Sequence, residues 1–160
     1  STGSGDDDTP TDAERRERAI RQFGKTFLPK DDTPEEHYIP PIEQFVRSFL
    51  EVDEEPITKD KDEGLYTARS DVVDAYNTWV KAVQAQHTQN SDKTIEELAV
   101  ETRGSSVLTP KIEETVEPEL DRARITHPDG ERRRSWWGVA LTDRCEELLD
   151  YTTVFGTDSV

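Results

Sequence analysis

Five arginines fall within thirteen positions, at Arg122, Arg124, Arg132, Arg133 and Arg134, against two acids, Asp129 and Glu131. That stretch is locally +3 in a chain whose formal charge is −16. Guanidinium groups grip phosphate through a fork of two parallel hydrogen bonds, so such a row suits a nucleic-acid backbone. Trp136, just beyond it, has the flat ring that stacks on bases, although strand alternation sends only one of Trp136 and Trp137 outward. Lys111, at the expected start of a helix, would assist at the phosphates. The competing reading pairs Arg132, Arg133 and Arg134 with acids such as Glu117 or Glu119, leaving a solvated charged face.

Other chemistries fail on spacing. Gly24-Lys25-Thr26 ends like a phosphate-binding loop, but Ala19 stands where that motif needs glycine, and the preceding segment has helical spacing. Asp60-Lys61-Asp62 opens like a calcium loop, yet Leu65 occupies the obligatory glycine position. His37, His87 and His127 are too far apart in sequence to form a metal-ligand motif, and no serine or cysteine nucleophile signature is present. Cys145, the only cysteine, falls on the apolar side of a helical stretch and reads as core. The expectation is a non-catalytic protein with no cofactor and no metal.

The 160 residues include 36 acids, 20 lysines and arginines, and 31 % hydrophobic residues. Acids are spread along the chain and aromatics sit in periodic apolar segments, which describes a folded protein with an acidic surface rather than disorder. Thirteen arginines against seven lysines, with eighteen threonines, resemble the composition of proteins from salt-loving archaea. At about 1 M salt the Debye length is about 3 Å, so self-repulsion would matter little. No apolar run approaches the roughly 18 residues of a membrane span, and no signal peptide opens the sequence, so a cytoplasmic protein is expected. Ser1 and the absence of Met suggest a processed chain or a piece of a longer one.

The elements that must position the arginines follow from periodicity. Residues 1–40 read as a flexible acidic segment with a short helix over 12–29 capped by Asp12. Pro41 opens an amphipathic helix carrying Ile42, Phe45, Val46, Phe49 and Leu50. Residues 51–64 form a polar connection, and 65–70 a short extended piece. A strong helix follows, with Val72, Val73, Tyr76, Trp79, Val80 and Val83 on one face. Thr94 and Glu97 form a capping box ahead of Ile95, Leu98 and Ala99, with Gly104 as the stop. A fourth helix is expected from Thr109, with Pro110 at its first position and Ile112, Val116 and Leu120 inward, until Pro118 interrupts it. The period then changes to two, and Pro128-Asp129-Gly130 turns a hairpin whose return strand covers 131–142. A last helix carries Cys145, Leu148 and Leu149, and residues 151–160 form a tail. The expected core is Phe45, Val46, Phe49, Val73, Tyr76, Trp79, Val80, Ile95, Leu98, Ile112, Val116, Ile125, Val139 and Leu141.

Helices followed by an arginine-bearing hairpin give a mainly α winged helix-turn-helix over residues 41–150, with the hairpin as a wing against DNA. Ala68 to Val83, with Tyr76 and Trp79, the two later helices and Trp136-Trp137-Gly138-Val139-Ala140-Leu141 together resemble the C-terminal domain of phage and plasmid primase-helicases. That family includes the poxvirus-type superfamily 3 helicases. The resemblance covers about residues 40–142 and implies a DNA-binding end whose ATPase lies upstream, with replication proteins as further partners. A protein–protein adaptor and a transcription regulator are the alternatives on the same fold.

Overall fold

The computed structural model describes residues 11–30, 33–52, 65–89, 94–98, 100–116 and 120–155. Helix α1 spans Asp12–Phe23, and its N-cap is Thr11 rather than Asp12. The Thr11 hydroxyl accepts from Glu14 N at 3.1 Å, while the Glu14 carboxylate accepts from Thr11 N at 3.2 Å. A single 3₁₀ turn, Gly24–Thr26, follows. Helix α2, Pro41–Phe49, begins on its proline as expected and buries Phe45, Val46 and Phe49. Buried Gln44 ties α2 to the chain before it: its amide donates to the carbonyls of Ile39 at 2.7 Å and Leu28 at 3.1 Å, and accepts from Leu28 N at 2.9 Å.

Helix α3, Arg69–Gln89, is the axis of the molecule. It buries Val72, Val73, Ala75, Tyr76, Thr78, Trp79, Val80, Ala82 and Val83, more than one stripe, because neighbours pack on several sides. Trp79 is fully buried, with the rings of Phe27, Phe45, Phe49 and Tyr76 at 5.8 to 6.2 Å. Its indole N–H is satisfied by Thr26 Oγ1 at 2.7 Å, so the 3₁₀ turn that mimics a phosphate loop in sequence has a structural job. The same turn lies very close to α3. A Cβ placed on Gly24 would sit 2.4 Å from Gln86 Cβ and 2.7 Å from the Ala82 carbonyl, so only glycine fits without displacement.

The one-turn helix α4, Ile95–Leu98, is opened by the Thr94–Glu97 cap, with Glu97 N on the Thr94 hydroxyl at 3.2 Å. Helix α5 is Ser105–Thr115 and starts four residues before the expected point. The amides of Val107 and Leu108 bond the Gly104 carbonyl at 3.1 and 2.9 Å, extending the helix N-terminally, and Pro110 sits inside it with Leu108, Thr109 and Ile112 buried. Helix α6, Asp143–Leu149, is capped by the Thr142 hydroxyl, which accepts from Cys145 N at 3.3 Å.

Two small antiparallel sheets complete the described residues. In one, β2 (Tyr66–Ala68), β3 (Asp121–Thr126) and β4 (Arg132–Trp137) lie in the order β2-β4-β3. In the other, β1 (Leu50–Val52) pairs with β5 (Val139–Leu141). The expected hairpin is there, with Gly130 at φ 87° in its turn. Its return strand is not continuous. Gly138, at φ 101°, breaks it, so β4 stays with the hairpin while β5 crosses to β1; the Gly138 amide bonds the Leu65 carbonyl at 2.8 Å.

The expected boundary near residue 40 does not separate two cores. Ala19, Phe23 and Phe27 belong to the same buried cluster as Phe45, Trp79 and Leu148, because the apolar stripe of α1 closes over the end of α3. The end of the chain joins it too: Tyr151 is buried, its ring 5.9 Å from Phe23, and Val154 and Phe155 pack on the cluster. Of the expected core, Ile125 and Leu141 are only half-buried. The side chains of Ile95 and Ala99, the acidic residues 1–10, the Asp60–Asp62 turn, and Glu117, Pro118 and Glu119 lie outside the described residues. No helix among the described residues is long and apolar enough to cross a membrane.

Candidate nucleic-acid interface

The register of β3 and β4 decides which arginines share a face. Arg122 stands opposite Trp136, Arg124 opposite Arg134, and Thr126 opposite Arg132. Directly opposed residues of an antiparallel pair point to the same side, so Arg122, Arg124, Arg132 and Arg134 line one face. Arg133 points to the other, with Ile125 opposite it.

The face is covered at one end and open at the other. Trp136 is wholly buried beneath α5, and its indole N–H donates to Glu113 Oε2 at 2.8 Å. It is therefore part of the core and presents no ring to a base, contrary to the stacking expectation; alternation leaves Trp137 half-exposed instead, against Tyr66 at 5.5 Å. Arg122 grips the same Glu113 carboxylate in a two-pronged contact, Nε to Oε2 at 2.5 Å and Nη2 to Oε1 at 2.7 Å. Arg122 and Trp136 together hold Glu113 below the ordinary carboxylate range, the Arg122 hydrogen bond being the largest cause. Arg133 is paired at the turn with Asp129, whose pKa is lowered by that bond and by the Glu131 amide. Arg122 and Arg133 are thus satisfied within the chain.

Arg124, Arg132 and Arg134 are exposed, and none has an ion-pair partner among the described residues. Arg124 and Arg134 face each other across the ladder, where like charges repel. Lys111 is exposed but is the seventh residue of α5, not its start, because the helix begins at Ser105. Two residues from Glu113 is about 200° around a helix, so Lys111 projects away from the arginine face.

Sequence reasoning missed Arg69. It is the first residue of α3, and its pKa is lowered by burial first and then by Arg122, Arg134 and Arg124, with Glu113 opposing. Its Nε is buried and has no hydrogen-bond partner among the described residues. The available signal was its place: a cation at a helix N-terminus sits against the helix dipole, so it needs a compensating reason. No His, Cys, Asp and Glu group among the described residues is arranged to hold a metal ion. Cys145 is fully buried on α6, and burial pushes its thiol up to about 12, as suits a core side chain. His127 lies in the hairpin, its Nε2 2.9 Å from the hydroxyl of fully buried Ser135, which no substrate reaches. Neither models of known protein families, nor curated proteins, nor solved structures give a match to this chain.

Proposed function

We propose that this chain is a cytoplasmic DNA-binding protein that holds the phosphate backbone on the arginine face of the β3–β4 hairpin. One observation carries the reading: in a protein of charge −16, Arg124, Arg132 and Arg134 stand exposed on one strand face with no partner among the described residues. Keeping like charges opposed across a ladder costs stability, and an anion between them removes the cost.

The order of elements supports a winged helix with this hairpin as the wing: α2, β2, α3, α5, then β3 and β4, with β2 closing the sheet beside β4. The solvent side of α5 offers Ser106, Val107, Pro110, Lys111 and Glu114, with one cation and one anion, so affinity has to come from the wing. The resemblance to primase-helicases extends the reading to the DNA-contacting end of a replication enzyme. The Tyr76-x-x-Trp79 signature that carries this resemblance lies in the core and does not form a contact surface.

The test is duplex and single-stranded DNA binding from low to molar KCl, comparing wild type with the Arg124→Ala, Arg134→Ala double variant. Counterion release weakens at high salt, with log affinity falling at about −0.9 per phosphate against log salt, while repulsion by the acidic surface is screened at the same time. Binding by wild type that strengthens as KCl rises and is lost in the variant is the expected result. Equal affinity of the two folded proteins would remove the hairpin as the DNA contact.

A further inference from the structure

Beside the arginine face lies a cleft of about 510 Å³, formed where the first turn of α3, the start of α5 and β4 meet. Arg69, Ser70, Asp74, Ser105, Arg133 and Arg134 line it. It is a built concavity rather than a flat charged surface, and its charges are unbalanced. Arg69 and Arg134 have no ion-pair partner among the described residues, Arg133 is neutralised by Asp129, and Asp74 is the one acid on the wall.

We propose that this cleft is a phosphate-binding pocket that seats one phosphoryl group of the nucleic acid, with Arg69 and Arg134 as its principal ligands. The proposal rests on the nucleic-acid reading for the source of the phosphate and on the cleft's own geometry for its chemistry. Arg69 and Arg134 both line the cleft and neither has an ion-pair partner among the described residues, so each can offer its guanidinium fork to an oxyanion. Partial burial and the nearby charges of Arg122, Arg134 and Arg124 disfavour the charge of Arg69, a setting that an anion relieves. Ser70 and Ser105 add hydroxyl donors, and both stand in the first turn of helices of 21 and 11 residues, so two positive dipole ends bear on the same space. The cleft has room for one phosphoryl group with part of its nucleoside, whereas the open strand face fits a run of backbone.

Asp74 supplies a control of opposite sign. Asp74 is exposed on the wall of a pocket for anions, and its carboxylate pKa is raised, by partial burial and then by Asp71. Replacing it with Asn removes repulsion and leaves a hydrogen-bonding group of the same shape.

The experiment titrates inorganic phosphate into the full chain by calorimetry in molar KCl, with wild type, Arg69→Met, Asp74→Asn and Lys25→Ala, the last an exposed lysine on the 3₁₀ turn at the opposite end of α3. Expected are measurable binding to wild type, a loss of about tenfold or more in Arg69→Met, tighter binding in Asp74→Asn, and no change in Lys25→Ala. A gain in Asp74→Asn cannot come from a failure to fold. Absence of phosphate binding, or equal affinity across all four proteins, overturns the pocket. A second arm adds a single-stranded oligonucleotide to the phosphate-loaded protein. Displacement of phosphate places a nucleic-acid phosphate in the cleft; phosphate binding with no displacement leaves the pocket standing and removes the nucleic acid as its source.

Discussion

Glu113 Oε2 accepts from the buried indole N–H of Trp136 at 2.8 Å and from Arg122 Nε at 2.5 Å. One carboxylate on α5 therefore fixes the hairpin to the helical layer and neutralises the innermost arginine of its exposed face. This leaves Arg124, Arg132 and Arg134 as the cations on that face of the hairpin available to a ligand.

Glu113→Ala strands a buried indole donor and should cost about 1–3 kcal/mol of stability. Glu113→Gln keeps an oxygen for Trp136 but loses the charge shared with Arg122, so it should cost less. Thermal or denaturant unfolding of the two variants against wild type checks the order. Equal losses would mean that the charge, not the Trp136 bond, carries the effect.

The same carboxylate sets an acid limb. The folded-state pKa of Glu113 is lowered, so its contribution is fully present above the ordinary carboxylate value, about 4.3, and is lost as pH falls through the lowered folded value. Stability of wild type relative to Glu113→Gln should therefore shrink on acidification below about pH 4. A difference that stays constant from neutral pH into that range would show that Glu113 does not contribute this way.

Arg134→Ala separates function from stability. Because Arg134 directly opposes Arg124, its removal relieves repulsion and should raise stability by about 0.2–1 kcal/mol in low salt. The gain should fade as KCl is added, and at every salt concentration where wild type binds DNA the variant should bind more weakly. A variant that is destabilised at low salt would contradict the opposed-charge geometry.

Gly24→Ala tests the approach of α1 to α3. Its new Cβ meets Gln86 Cβ and the Ala82 carbonyl, the latter backbone that cannot swing aside. Such overpacking typically costs about 1–3 kcal/mol. Thermal unfolding reads it, and a neutral result would mean that the turn after α1 moves freely from the core.

The parts legible in the sequence are those whose physics is local. Pro128-Asp129-Gly130 announces its turn, Pro41 its helix start, and the Thr94–Glu97 cap its first bonds, because each partner lies within a few residues. The α3 face was legible because Val73, Tyr76, Trp79 and Val80 repeat at helical spacing. The β1–β5 pair was not: three-residue strands carry no usable period, and Leu50 finds Leu141 only through the tertiary fold. The start of α5 was misplaced because Pro110 is favoured at a first helical position, while Gly104 gave no side-chain cap to mark the true one. The place of α1 in the core was missed because a narrow stripe of Ile20, Phe23 and Phe27 is also what a loosely attached helix shows. Within the site, the five hairpin arginines were visible as a run. Which two are paired, and that Arg69 joins the others, depends on strand register and on helix ends meeting in space.

The extent of β2 gives the hairpin a mechanical character. β2 pairs only with residues 135–137 of β4, so the ladder from Arg132 to Arg134 has β3 as its one neighbouring strand. The root is clamped by Trp136, Glu113 and the Gly138 amide, and the tip is a two-stranded ribbon, the kind that is marginal alone in water. The hairpin is in effect a cantilever, fixed at its root and paired at its tip only with β3, and the exposed arginines begin where β2 ends. It can follow the curvature of what it touches without disturbing the core, and the stiffening that follows contact would appear as slowed amide exchange from Ile125 to Arg134 while the root stays unchanged.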